Sequence, residues 1–425
     1  MVFPFWSLIP FVALLLCIAL LPIAIPRWWE LNRNKLLVST VASIPILLLV
    51  IPHEPNLLAH SLKDYVSFVI LLGSLFVISG GVFISGSFAG TPFGNTLFLG
   101  LGAVLSNFIG TTGASMLLIR PYIRANHRRQ KKSHLMVFFI FVVSNIGGLL
   151  TPLGDPPLFL GFLRGVPFHW TLSLIPHWVL AVGSLLLVFN FYDQYVFNRE
   201  DVETPGALTE DVQPRRRIHI QGKRNFVYLL GVMIGIVASG AFAWPRGIQE
   251  TIILSMALLS WFTTSRMIHE SNHFHFHPIA EIAALFMGIF VTMIPALELL
   301  NHWSTALNIR EPWMYFWLTG MVSSLLDNAP TYLAFVAMAS GIAGGTMDNL
   351  RGLVQSDLGE SLLRAVSCGA VFMGANTYIG NGPNFMVKSI AERSGIRMPS
   401  FGGYMLYSGL ILTPLYVVMT LVFFR

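Results

Sequence analysis

Four clusters of Asn, Asp, Thr, Ser, Gly and Pro interrupt long apolar runs, and they restrict the possible folds more than any other feature. They are residues 106–113 (SNFIGTTG) within 95–123, 144–157 (SNIGGLLTPLGDPP) within 135–163, 323–331 (SSLLDNAPT) within 312–340, and 374–384 (GANTYIGNGPN) within 362–395. Proline, which 144–157 carries three times, lacks the amide donor and clashes with the preceding turn, so a helix cannot run unbroken through that segment. The surrounding runs are apolar enough for a bilayer, where irregular backbone is tolerated only against protein or a watery cavity. Crossing the hydrocarbon takes about 20 residues. The halves of 95–123 and 312–340 are each too short, so these read as re-entrant hairpins with polar tips. The stretches 135–163 and 362–395 read as broken spans.

The composition agrees. Of 425 residues, 54% are hydrophobic and only 11% charged, against about 25% charged in soluble domains. This excludes a soluble globular enzyme, and 37 Gly with 24 Pro exclude a coiled coil. Ten spans are expected, near 3–26, 36–52, 65–83, 135–163, 171–197, 226–243, 248–264, 279–300, 362–395 and 401–424. The first has no basic n-region, and Arg27, Arg33 and Lys35 follow it. The positive-inside rule then places both termini outside. Under that topology 19 of the 26 Lys and Arg fall on the cytoplasmic side. The net charge of +6 is thus loop charge facing a lipid bilayer, and nucleic acid is not an expected partner. The expected location is a bacterial inner membrane. Cys17 and Cys368 lie in apolar runs and read as packing.

The order of three spans, a hairpin, a broken span and a plain span occurs twice. An all-α polytopic membrane protein of two inverted repeats follows, each with five transmembrane helices (one broken) and one hairpin. The first repeat is 1–197, a cytoplasmic linker is 198–225, and the second repeat is 226–425. Asn107 and Asp155 are 48 residues apart, as are Asn328 and Asn376, which supports the duplication. Inverted repeats with discontinuous helices point to an alternating-access transporter with a site near the bilayer midplane.

Asp155 and Asp327 lie at membrane depth inside the breaks. An ionised acid there costs at least about 2.5–3.5 kcal/mol and is a functional hypothesis by default. Desolvation disfavours the charged form, so each acid would hold a proton or a cation but not both. The bland alternatives are that Asp155 caps a half-helix ahead of Pro156 and that Asp327 bonds backbone amides. Asn and Thr side chains and freed carbonyls would add oxygen ligands for a sodium ion. Weaker candidates are His269, His273, His275 and His277, read as a solvated loop before 279–300, and Glu281 and Glu298, read as interfacial. Lys388 is expected to snorkel. Trp28, Trp29, Trp170, Trp178, Trp303 and Trp313 fit an aromatic belt.

The segments 144–157 and 323–330 resemble those of the ion transporter superfamily, which includes D-type sodium/proton antiporters, arsenite permeases and citrate or divalent-anion symporters. The resemblance covers essentially the whole chain. It implies a homodimer, a scaffold, and a transport unit of hairpins and broken helices that moves as an elevator. It further implies ion or substrate ligands at Asn107 and Thr111 in the first tip and at Asn145, Thr151 and Asp155 in the first broken span. Asp327, Asn328 and Thr331 fall at the second tip, with Asn376, Thr377, Asn381 and Asn384 in the second broken span. The leading expectation is sodium/proton antiport, with sodium held by Asp155 and Asp327 and released on protonation. Sodium and proton would be the coupling or transported ions, with no other cofactor. The alternative is sodium- or proton-coupled uptake of citrate or another carboxylate, against which an acidic tip would act. A third reading, an oxyanion such as arsenite, is set behind these. The Gly154-Asp155 pair also resembles intramembrane aspartyl proteases, but those enzymes have no inverted repeat, so an enzyme is not expected.

Overall fold

The computed structural model describes residues 3–86, 90–203, 219–242, 244–245, 247–272, 274–306, 309–347 and 349–425. Its principal helices are α1 (Ile9–Ala24), α2 (Asn32–His53), α3 (Pro55–Gly80), α4 (Pro92–Ala125), α5 (Ser133–Val142), α6 (Pro156–Leu163), α7 (Ile175–Glu203), α8 (Arg224–Phe242), α9 (Ile248–Thr263), α10 (His277–Trp303), α11 (Pro312–Leu325), α12 (Asn328–Ile342), α13 (Asp357–Met373), α14 (Gly382–Arg393) and α15 (Phe401–Phe423). The only sheet among the described residues is a two-stranded antiparallel ribbon of β1 (Phe83–Ser85) and β2 (His219–Gln221). The chain is an all-α polytopic membrane protein, with ten described helical segments long and apolar enough to cross a bilayer.

That set is not the one expected from sequence. Ile248–Thr263 has only 16 residues, about 24 Å of helix. Its place among the ten is taken by Pro92–Ala125, which is the first hairpin and not a span. The α4 stretch leaves helical geometry at a single residue, Gly110, at φ 76° and ψ 154°. Asn95 and Asn126 exchange amide hydrogen bonds of 3.0 and 2.8 Å, and Gly102 lies against Leu118, so the limbs run back on each other about Gly110. In the second hairpin α11 and α12 part at Leu326–Asp327, and Tyr315 meets Phe335 edge-on at 6.5 Å.

The segment read as a linker, 198–225, begins and ends in regular structure. α7 continues helically to Glu203 because Glu200 is buried and holds Arg129 Nε and the Lys131 amide, both at 2.7 Å. Residues 219–221 pair with β1, and the remaining 204–218 lie outside the described residues, as does His273.

Packing sorts the helices by their position within each half. α1, α2, α3, α8, α9 and α10 pack mainly on one another, while the hairpins, broken segments, α7 and α15 form a second group. The groups meet where α3 lies on α4 and α10 on α12. Leu135 to Val143 are wholly buried, whereas Phe191 and Phe262 on α7 and α9 are 74% and 79% exposed. Apolar side chains that bare suit a lipid surface. Lys35 sits buried in a 2.7 Å ion pair with the partly exposed Glu281, joining α2 to α10, so Lys35 is a helix residue and not a loop charge. Trp29 and Trp170 are buried and Trp178 donates to the Gly147 carbonyl at 2.9 Å, which leaves Trp28, Trp303 and Trp313 as belt candidates.

Candidate functional site

The two broken spans use one local device. Thr151 Oγ1 accepts from the amides of Leu153 and Gly154 at 3.2 and 3.1 Å and donates to the Asn107 carbonyl at the first tip. Thr377 Oγ1 accepts from Ile379 and Gly380 at 3.3 and 3.1 Å and donates to the Ser324 carbonyl at the second tip. Each break also seats one glycine on another six residues earlier, Gly154 on Gly148 and Gly380 on Gly374. These equivalences pair Asn107 with Ser324, and Asp155 with Asn381. The 48-residue spacing read from the sequence pairs different residues. The two tips stand 44 and 53 residues before their threonines, so equal spacing of Asn–Asp and Asn–Asn does not mark equivalent positions.

Each break ends by starting a helix. The second limb of α4 starts after Gly110, α6 after Asp155, α12 after Asp327 and α14 after Asn381. A residue at each start meets the others around Asp155, which is 1% exposed. Its Oδ1 accepts from Thr111 Oγ1 at 3.0 Å and from Asn381 Nδ2 at 3.4 Å, and its Oδ2 accepts from Asn328 Nδ2 at 2.6 Å. Asn381 Nδ2 also reaches Asn145 Oδ1 at 3.1 Å, and Asn145 Nδ2 donates to Asn384 Oδ1 at 2.7 Å. Asn384 in turn donates to the carbonyls of Gly374 and Thr377 at 2.8 and 2.9 Å. Thus Thr111, Asn145, Asp155, Asn328, Asn381 and Asn384 form one buried network.

The other expected ligands hold the breaks in shape. Asn107 donates to Ala103 O and accepts from the Leu150 amide at 2.9 and 2.7 Å. Asn376 donates to Ser324 Oγ at 2.9 Å, and Thr331 donates to Asp327 O at 2.9 Å. Asp327 caps α12 through a 3.0 Å bond from the Ala329 amide and makes no hydrogen bond to the Asp155 network among the described residues. Tyr416, which the sequence did not single out, donates to Phe372 O at 2.7 Å and to Asn376 Oδ1 at 3.2 Å. Its hydroxyl satisfies a carbonyl freed by the break, a role legible only once α15 is seen beside the break. Tyr416→Phe is expected to lower stability by about 1–2 kcal/mol, read as a lower Tm of the detergent-solubilised protein.

Electrostatically the site is unusual in two respects. Among the described residues Asp155 forms no ion pair. The positive field comes instead from four helix N-termini, each equivalent to roughly half an elementary charge. Second, Asn328 Oδ1 is a buried acceptor with no hydrogen-bond partner, beside a carboxylate whose own oxygens only accept. The carboxylate and the unpartnered Asn328 Oδ1 are oxygen acceptors of the kind a hard cation or a proton takes. A cavity of 30 Å³ lies beside the first tip, lined by Gly110, Thr111, Gly154 and, from α3 and α10, Leu75, Phe76 and Ile282. It has room for water but not for a six-carbon acid. Among the described residues no group of three His, Cys, Asp or Glu could hold a metal ion. His269 lies against Trp261 and Phe274 at ring separations of 4.8 and 5.2 Å, and burial lowers its pKa.

A family model described as "Putative citrate transport" matches residues 2–424. No curated protein matches the chain.

Proposed function

The chain belongs to the CitMHS_2 family, whose model spans nearly all of it, and from that premise we propose a cation-coupled secondary transporter of citrate or a closely similar carboxylate, with Asp155 as the seat of the coupling ion. The observation that carries this reading is the convergence of four half-helix N-termini on one buried acid. Helix N-termini attract anions through free amides and the dipole, and they can receive a carboxylate without a basic side chain. Asp155 alone would repel that substrate. With a sodium ion or a proton on Asp155 the repulsion is removed, so substrate binding requires the cation. That requirement is coupling.

The same geometry supports an alternating mechanism in which the hairpins, broken spans, α7 and α15 move past the remaining helices as an elevator. The side chains of α3 and α10 at the first tip (Leu72, Leu75, Phe76, Ile279 and Ile282) are apolar, a wall with few directional bonds to break on sliding. In this reading 1–197 and 226–425 are inverted repeats, the two termini face outside, and the protein works as a homodimer in a bacterial inner membrane. A second reading, sodium/proton antiport with no organic substrate, is favoured by Asp155 and the orphan Asn328 Oδ1 taken alone.

Proteoliposomes separate the two. Labelled citrate should accumulate when a sodium or proton gradient is imposed and collapse when the gradient is dissipated. Dissipation of a pH gradient by added sodium, with no citrate accumulation under any gradient, would replace the symport reading with antiport.

A further inference from the structure

A second cavity lies outside the site, between the start of α8 and the end of α9. Its volume is 330 Å³, and Lys223, Arg224, Asn225, Thr263, Thr264 and Ser265 contribute to its lining. The floor is tied together by its own hydrogen bonds. Asn225 is buried, donates to the Gly81 carbonyl at 2.8 Å and to Thr264 Oγ1 at 3.1 Å, and accepts from Ser260 Oγ at 2.5 Å. The rim is the opposite. The side chains of Lys223, Arg224 and Ser265 are exposed and make no hydrogen bond or ion pair among the described residues. No carboxylate lines the cavity, and the next acid along the chain, Glu270, lies 3.0 Å from Arg266 Nε.

Two surface cations are ordinarily just solvated. The surroundings set these apart. Arg224 opens α8, and Val227, Leu230 and Ile234 continue its exposed side into the apolar span. On α9 Phe262 is exposed immediately before Thr263, and Trp261, also exposed, is of the type that collects at the membrane surface. The cavity is thus polar at its rim, and the same two helices turn bare apolar side chains to the lipid. We propose that it binds the phosphate group of an anionic phospholipid. Lys223 and Arg224 pair with the phosphate oxygens, Ser265 donates to them, and the acyl chains lie along Val227, Leu230 and Phe262.

The chemistry fits each part. Basic pockets between transmembrane helices take phospholipid head groups. The guanidinium matches two phosphate oxygens at once, and the ammonium adds a point charge. A zwitterionic head group would bring its own ammonium toward two cations, so a lipid of net negative charge is preferred. The volume is at the low end for ligand pockets, enough for a head group with its tails outside. Because α8 and α9 stand apart from the hairpins and broken spans, the inference holds whichever substrate is carried at Asp155.

The test uses the full-length protein in detergent, titrated with phosphatidylglycerol or with phosphatidylcholine of the same acyl chains, and reads Tm. Phosphatidylglycerol should raise the wild-type Tm, and phosphatidylcholine much less. In Lys223→Gln/Arg224→Gln the half-saturating phosphatidylglycerol concentration should rise about 10- to 30-fold, the scale of two surface cations. Arg27→Gln/Arg33→Gln is the control. It removes two exposed cations expected on the same membrane face, and should leave that concentration within about twofold of wild type. Added salt should weaken wild-type binding, since exposed charges are screened. Equal weakening in both double variants would mean general surface charge and would overturn the site. Equal stabilisation by the two lipids, or binding indifferent to salt, would overturn it as well. Inorganic phosphate separates the sources: a shift equal to that of the lipid at matched concentration places a soluble phosphate here and overturns the lipid assignment. Should Lys223→Gln/Arg224→Gln not be recovered, the lipid, phosphate and salt comparisons on wild type still decide.

Discussion

Asp155→Asn is expected to reduce gradient-driven citrate uptake by about 100-fold or more, on the 2–5 kcal/mol scale of losing one partner in a buried charge-assisted set, while the protein still folds. Asn has nearly the shape of Asp, so packing around the 1% exposed side chain is preserved. What changes is the pattern of donors and acceptors. Thr111, Asn328 and Asn381 all aim hydrogens at the carboxylate, and an amide offers them a single oxygen. Its own NH2 faces the Asn328 or Asn381 amide, and the negative charge that would hold sodium or a proton is gone. A ligand-stabilisation measurement separates loss of coupling from loss of fold. Sodium at about 100 times its Kd stabilises a binding-competent protein by about 2.7 kcal/mol, a gain that wild type should show and Asp155→Asn should not. Persistence of ion-driven uptake in the variant would remove Asp155 from the mechanism. Asp327→Asn is the informative contrast. Because Asp327 caps α12 through the Ala329 amide and Asn is about as good an N-cap as Asp, its replacement should change stability little, with coupled uptake retained.

The breaks were legible in the sequence because lipid does not tolerate polar, helix-breaking backbone at that depth unless protein or water covers it. Asp155, Thr111, Asn328 and Asn381 were all legible on that basis, and the structure brings them together. Their division of labour was not legible. Asn107, Thr151, Asn376 and Thr377 have the same side-chain chemistry as the residues around Asp155, yet they spend their hydrogen bonds on the neighbouring tips and backbone. Nothing in a one-dimensional string distinguishes an Asn that supports a turn from one that faces an ion. The 48-residue spacing misled for a related reason: what the two breaks share is a pair of glycines six residues apart with a threonine midway, whereas the conspicuous Asn and Asp positions do not correspond. The cluster of Arg129, His134, Asp193 and Glu200 was invisible because each member sits in a charge-bearing loop or toward a helix end, where solvation is the ordinary expectation. Only the fold shows all four buried.

Gly154→Ala should be severely damaging for so small a substitution. A Cβ at that position would stand 2.1 Å from the Gly148 carbonyl oxygen and 2.8 Å from its carbon, backbone atoms that cannot rotate aside. Relief requires separating the two ends of the break, and that motion pulls on the Gly154 carbonyl that receives the Thr111 amide at 2.8 Å. It also moves Asp155 itself. The expected result is a loss of about 3 kcal/mol or more of stability, with little monodisperse protein in gel filtration and no uptake from what remains. Gly380→Ala should behave similarly, since its Cβ would meet Gly374 O at 2.6 Å and Ser323 O at 2.8 Å. Gly183→Ala on α7 is the control: its Cβ meets nothing within 4 Å, and alanine is favoured over glycine in a helix by up to about 1 kcal/mol. Wild-type Tm and uptake in Gly154→Ala would mean that the break is more open than its close backbone contact implies. The same steric requirement in both halves explains why the glycine pairs recur while the acid does not. Closing each break is a demand on the backbone, which only glycine meets, and the charge is needed once, at the point where the four helix N-termini converge.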